Sequence, residues 1–292
     1  MPPNTRRLRT VALTGSALVL AVAGYLAYNG FGHLTPSLPP GCQAGTGVDA
    51  ISLDTGQASI AATIAGVAVR HGLPRQAVSI AYAAALQESK LHNLDYGDLD
   101  SVGVFQQRPS QGWGTAAELE DPVYATTKFF AALVRVPGYT RMPVDQAAQD
   151  VQHSADGSAY QQWAGMAGLL AGYFTGASPH GVSCWFAPAG TAHLAGAVSE
   201  LTHTFGPQGR DDVVIRITTD RSGQNQDGGV AVVYAQRGAA WTVASWLVAY
   251  AQDYGISEVR YAGYEWKAAD GTMGWQRASG AAALAHGSIV AG

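Results

Sequence analysis

The sequence predicts a multidomain chain: an N-terminal transmembrane helix, a mainly α middle domain and a C-terminal α+β domain. Three observations carry that expectation. Residues 11–31 hold no charge, and ~20 such residues suffice to cross a bilayer core of ~30 Å. Apolar residues recur at helical spacing between positions 57 and 174. Beyond Cys184, short alternating or wholly apolar runs take turns with helical segments.

Arg6, Arg7 and Arg9 precede the apolar stretch and the first acidic residue is Asp49, so residues 1–10 read as a cytoplasmic basic tail. The expected product is a single-pass cell-membrane protein with its N-terminus inside and the bulk of the chain extracytoplasmic. Ala21-Val22-Ala23 resembles a small-residue cleavage site, and its use would instead release a secreted protein. One span cannot form a transport path, which argues against a carrier or channel; a transport-related role would require a partner that supplies the membrane path. Residues 32–48, rich in Pro and Gly, read as a linker. Cys42 and Cys184, the only cysteines, both fall on the exported side, where a disulfide between them is expected.

The middle domain is expected over 49–185. Ile60, Ile64 and Val67 mark one helix stopping at Gly72, and Pro74 suits the first turn of a second helix running to Ser89. That second helix is almost wholly apolar and reads as the buried centre of a bundle, with Glu88 at its C-terminal end. Further helices are expected at 122–136, 144–154 and 158–174. In the C-terminal domain, 190–292, a helix at 193–205 precedes strands at 213–218 and 228–235. An amphipathic helix at 241–254, ended by Gly255, then leads to a strand at 258–261.

A net charge of −4, a pI near 6.0 and 13% charged residues leave no basic stripe for phosphate backbones, so nucleic acid is not an expected partner. The eight histidines are scattered, and no zinc-binding spacing occurs, so neither a metal nor a cofactor is expected.

The chemistry-bearing stretch is 86–115, LQESKLHNLDYGDLDSVGVFQQRPSQGWGT. A glutamate ends an apolar helix, a polar loop follows, then a Gly-led turn, Gly103-Val104-Phe105-Gln106, and Trp113. Cleaving a glycosidic bond requires a carboxylic acid that keeps its proton near neutral pH, and apolar surroundings push a carboxyl in that direction. Glu88-Ser89 with the Gly103–Gln106 turn resembles the Glu-Ser and Gly-Leu-Met-Gln motifs of the lysozyme-like lytic transglycosylases, over residues 57–175. The same block also resembles exported actinobacterial proteins. The resemblance implies that Glu88 protonates the glycosidic oxygen, that Ser89 positions it, and that Gln106 contacts bound sugar, with peptidoglycan glycan strands as partner. Tyr96, Phe105 and Trp113 are candidate stacking surfaces for sugar rings, although Trp113 can equally be core. The family's third motif, Ala-Tyr-Asn, has Ala159-Tyr160-Gln161 as its nearest approach, which makes Tyr160 a further candidate.

Two mechanisms remain open. A transglycosylase uses Glu88 alone, first as acid and then as base. A muramidase of the inverting kind adds a second carboxylate ~6.5–9.5 Å away, for which Asp95, Asp98 and Asp100 are available unless they only form turns. Glu88 has a structural alternative as well, an ion pair with Arg108. A non-catalytic wall-binding or scaffold protein is the functional alternative. In the C-terminal domain, Gly229-Val230-Ala231-Val232 and the later VRYAGYEW resemble D-Ala-D-Ala peptidase-like domains. Where that family presents zinc ligands, this chain has Gln226 and Val233, which implies a metal-free packing or binding module and, through it, an envelope protein partner.

Overall fold

The computed structural model describes residues 38–152, 158–187, 192–206, 213–218, 230–235, 238–278 and 288–291. It corrects the expected fold class. Among the described residues no helix is long and apolar enough to cross a membrane, and the span expected at 11–31 lies outside them. Instead of a helical domain followed by an α+β domain, helices are mixed with two small antiparallel sheets, and residues 40–292 form one compact unit. Strand β1 (Gly41–Ala44) lies inside the stretch expected to be linker, and β2 (Ile51–Leu53) follows it.

Helix α1 (Thr55–Arg70) begins where Asp54 and Gln57 cap it reciprocally: Gln57 N donates to Asp54 Oδ1 at 2.8 Å and Asp54 N to Gln57 Oε1 at 3.0 Å. Helix α2 (Arg75–Glu88) starts directly after Pro74. Its residues 77–86 are buried without interruption, so α2 has no solvent face and is the axis of the unit. Five of those ten residues are alanine, and small side chains let neighbouring helices approach closely. Tyr82, fully buried, donates from its hydroxyl to Ala61 O at 2.7 Å and fixes α2 against α1.

Four more helices surround this axis or extend it. Short α3 (Ala116–Leu119) carries a Thr115–Glu118 capping box, and α4 (Pro122–Leu133) is capped by Asp121 with proline in its first turn. Then come α5 (Val144–Gln152) and α6 (Ala164–Phe174), which packs along α2. Strand β3 (Val182–Trp185) returns to β1, giving the sheet order β2-β1-β3. Cys42 pairs opposite Cys184 in that register, and the two form the disulfide, 142 positions apart.

The C-terminal part packs on this frame rather than standing away from it. Helix α7 (Leu194–Phe205) meets α1 at Gly66, where an added Cβ would strike Thr204 and Phe205. Helices α8 (Ala240–Ala249) and α9 (Ala251–Tyr254) replace the single amphipathic helix expected at 241–254. Residues 242–249 are all buried, because α1 and β3 cover sides that would otherwise face water. Tyr250, between the two, shares a 2.7 Å hydrogen bond with the Thr63 hydroxyl of α1, and burial pushes its phenol well up.

The second sheet comprises β4 (Val213–Thr218), β5 (Val230–Ala235), β6 (Glu258–Tyr261), β7 (Tyr264–Lys267), β8 (Gln276–Arg277) and β9 (Ser288–Ala291). Its order is β4-β5-β9-β6-β7-β8. Strand β3 joins the two halves. Its Val182 and Cys184 carbonyls accept from the buried indoles of Trp275 (2.8 Å) and Trp266 (3.0 Å), and the Ser183 hydroxyl donates to Gly271 O.

The disulfide closes a loop long enough that chain-entropy arguments assign it roughly 4–5 kcal/mol. Replacing Cys42 and Cys184 together by alanine is therefore expected to lower the urea midpoint of the full chain substantially. Equilibrium unfolding with and without the pair measures this, and an unchanged midpoint would show that β1 holds its place by hydrogen bonds alone.

Candidate functional site

Glu88 is the last residue of α2, and directly after it the chain makes a tightly specified reversal. Ser89 N and Leu91 N both donate to Ala85 O, at 3.0 and 3.1 Å, while Lys90 (φ 56°) and Leu91 (φ 62°) are left-handed. This satisfies the end of the helix and turns the chain back sharply. A non-glycine residue in this region is strained, so two in succession need outside support. The Gln57 amide supplies it. While its oxygen caps α1, its nitrogen donates to Lys90 O at 2.9 Å. His92 adds a second tie, its Nε2 lying 2.9 Å from Asp54 Oδ2 and its Nδ1 3.2 Å from Ser89 O. Burial pushes the Asp54 carboxyl up, but the Gln57 N–H and His92 outweigh it and hold the group below the usual range.

The Gly103–Gln106 turn faces this reversal. Val102 and Gln107 exchange backbone hydrogen bonds of 3.1 Å and pinch the four residues between them into a loop. Gly103 has φ 79°, and an added Cβ there would collide with Leu119 O, so the position demands glycine on both counts. Ser89 does not reach the Glu88 carboxylate. Its buried hydroxyl donates to Val104 O at 2.7 Å, locking helix end to turn. Phe105 is a core residue, 1% exposed and stacked on Phe129 at 4.5 Å, and so is no platform for sugar. Its carbonyl accepts from Gln152 Nε2 at 2.9 Å, which brings α5 onto the same turn. The Gln106 amide nitrogen is folded back on Tyr96 O and Gly103 O, both at 3.2 Å. The Tyr96 side chain is 68% exposed.

The decisive contact comes from the far side. Tyr160, 1% exposed, donates its hydroxyl to Glu88 Oε1 at 2.6 Å. The turn of 3-10 helix after it, Gln161–Trp163, grips the preceding residue of α2, since Trp163 Nε1 donates to Gln87 Oε1 at 2.8 Å and Gln162 Nε2 does so at 3.2 Å. The Lys90 ammonium lies 4.4 Å from the centre of a Trp163 ring. Glu88 is half-buried between these groups. Among the described residues its Oε2 has no hydrogen-bond partner and its carboxylate no ion pair.

Arg108 is not the partner of Glu88. Its Nε donates to Asp100 Oδ1 at 2.7 Å, and Asp100 also accepts from Ser110 N (2.7 Å) and Ser110 Oγ (3.0 Å). The Arg108 hydrogen bond, followed by that from Ser110 N, brings the Asp100 carboxyl down to about 2. Asp100 thus organises its own loop. Asp95 and Asp98 are exposed on that loop. Trp113 is half-buried beside α4 and α5 rather than at Glu88. Among the described residues no three His, Cys, Asp or Glu side chains are grouped to hold a metal.

Comparison of the chain with family models and with curated proteins returned no match. Gln57, Gln87 and Gln152 escaped the sequence reading, because amides that bond to backbone or to another amide belong to no spacing pattern.

Asp54→Ala removes the α1 cap and the His92 tie together, and a cap of this kind is worth about 1 kcal/mol. Thermal unfolding should fall by several degrees, and an unchanged midpoint would show the helix start to be held otherwise. Asp100 ionises below its unfolded value near 4. Its contribution to loop order is therefore complete above pH ~4 and lost as pH falls through about 2. A carboxyl NMR titration should give a midpoint near 2 in the parent, and a higher one in Arg108→Met.

Proposed function

We propose that the protein cleaves the glycan strands of peptidoglycan, with Glu88 as general acid and Tyr160 as the residue that positions it. The observation carrying this reading is the 2.6 Å hydrogen bond from the buried Tyr160 hydroxyl to Glu88 Oε1. A glutamate at an exposed helix end rotates freely. Here one carboxyl oxygen is anchored, so an acidic proton is directed to Oε2, the atom left without a partner among the described residues. A proton delivered from there to a glycosidic oxygen would come from a fixed position, which is what general acid catalysis needs. Tyr160 also lies in the sequence's nearest approach to the third motif of the transglycosylases, which lends that likeness a physical role.

The single-carboxylate mechanism asks nothing of the loop, whereas an inverting one would need Asp95 or Asp98, both exposed, as its base. Of the three loop aspartates, Asp100 has both oxygens committed to Arg108 and Ser110 and so makes a poor base. In the single-carboxylate sequence Glu88 gives its proton to the leaving oxygen as the glycosidic bond breaks. The carboxylate then takes a proton from a hydroxyl of the same sugar, whose oxygen closes the anhydro ring, and Glu88 is regenerated without consuming water. The Cys42–Cys184 disulfide supports action outside the cytoplasm, where such bonds persist and peptidoglycan is found.

The test is mass spectrometry of soluble products after the full-length chain is incubated with purified peptidoglycan, beside Glu88→Gln. Anhydro-muropeptides from the parent alone are expected. Products with reducing ends would point to hydrolysis. No product, with sedimentation on the wall retained, would favour a non-catalytic wall-binding protein. Tyr160→Phe removes one hydrogen bond to a charged group and should slow release roughly 10–100-fold with an unchanged circular dichroism spectrum.

A further inference from the structure

A groove of ≈ 370 Å³ lies between the C-terminal ends of α4 and α5, lined chiefly by Trp113, Arg135, Val136, Pro137, Asp150 and Val151. It is at the small end of the range for small-molecule sites, enough for one ring-sized ligand. Trp113 packs against the core and presents its remaining surface to the groove, with Val136, Pro137 and Val151 completing an apolar lining. Arg135 and Asp150 are exposed there, and neither forms an ion pair among the described residues. The site thus offers an aromatic and aliphatic surface, a fork of donors and a pair of acceptor oxygens, with opposite charges that cancel.

We propose that this groove is a non-catalytic saccharide site taking one N-acetylhexosamine unit of a β-1,4-linked strand. A pyranose has an apolar C–H face suited to an indole and a rim of hydroxyls that both donate and accept. An acetamido methyl adds an apolar group that Val136 and Pro137 can cover. A phosphorylated ligand would meet Asp150, and a cationic one Arg135, so the balance favours a ligand without net charge, and the indole and apolar lining favour a ring. The choice of sugar rests on the proposed substrate class but not on cleavage by Glu88. The groove is also rigidly connected to Glu88. Val151 precedes Gln152, which holds Phe105 O, and the adjoining Val104 O is held by Ser89, the residue after Glu88. A strand seated in both places would be gripped by one frame.

The experiment titrates the full-length Glu88→Gln protein with the β-1,4-linked tetramer of N-acetylglucosamine and follows the indole ¹H–¹⁵N signals. Trp113 is assigned by its loss in Trp113→Phe, and Trp163, beside Glu88, reports the catalytic cleft in the same spectrum. The expected result is a saturating shift at Trp113, with Asp150→Ala weakening binding there roughly tenfold. Shifts at Trp163 with Trp113 silent would overturn the groove while leaving the cleft reading intact. Silence at both would overturn it too. A response of Trp113 to the L-alanyl-γ-D-glutamyl stem peptide but not to the tetramer would likewise overturn the saccharide assignment. A saturating shift at Trp113, from a parent protein that releases no muropeptides, would uphold the groove and defeat the cleavage reading.

Discussion

The rest of the structure depends on the all-round burial of α2. A helix with no solvent face can end in a half-open site only if its last turn is carried out of the core by something other than its own amphipathicity. Here ten consecutive buried residues hold the helix, and the break falls at Gln87 and Glu88, where burial becomes partial. The carboxylate therefore sits at the end of the most constrained element in the unit. Burying it fully would carry a heavy desolvation cost, and exposing it fully would leave it unoriented. The Tyr160 hydroxyl resolves that tension by supplying one hydrogen bond from a group that is itself buried.

The reversal after Glu88 shows how little chemistry holds a strained geometry when each group does more than one task. The Gln57 side chain caps α1 with its oxygen and braces Lys90 with its nitrogen. The single proton of the Ser89 hydroxyl is given to Val104 O at 2.7 Å, with Ala85 O at 3.1 Å the weaker acceptor sharing it. These residues lie outside the reacting groups, yet each removes a way for the helix end to relax.

Helices were legible from sequence because their signal is local. Apolar spacing, Pro74 at a start and Gly72 at a stop all lie within a few positions of what they determine. Strands β1 to β3 were not, since they are three or four residues long and β1 finds its partner β3 142 positions later, at Cys184 opposite Cys42. Gly41–Ala44 follows a proline-rich run, so its composition reads as a spacer although it is the central strand of its sheet. The segment 241–254 has polar residues at helical spacing, but Thr242 and Ser245 are buried against other elements, so amphipathicity misled. At the site, Glu88 was legible by its place at the end of an apolar helix. Tyr160 was legible in kind, but not its carboxylate partner 72 positions earlier. Phe105 was misassigned because stacking on sugar and stacking on Phe129 call for the same residue type.

The position of the disulfide also has a mechanical meaning. The chain enters the unit at Gly41, and Cys42 is already covalently joined to Cys184 in the adjacent strand. Tension applied between the two ends of the chain would pass from Cys42 straight to Cys184. Residues 43–183, with Glu88, Tyr160 and the groove at Trp113, lie in a closed loop off that covalent line and would feel the pull only through their packing against the segments after Cys184. A pull on the chain ends would leave the surroundings of Glu88 in shape until contacts with the segments after Cys184 had given way.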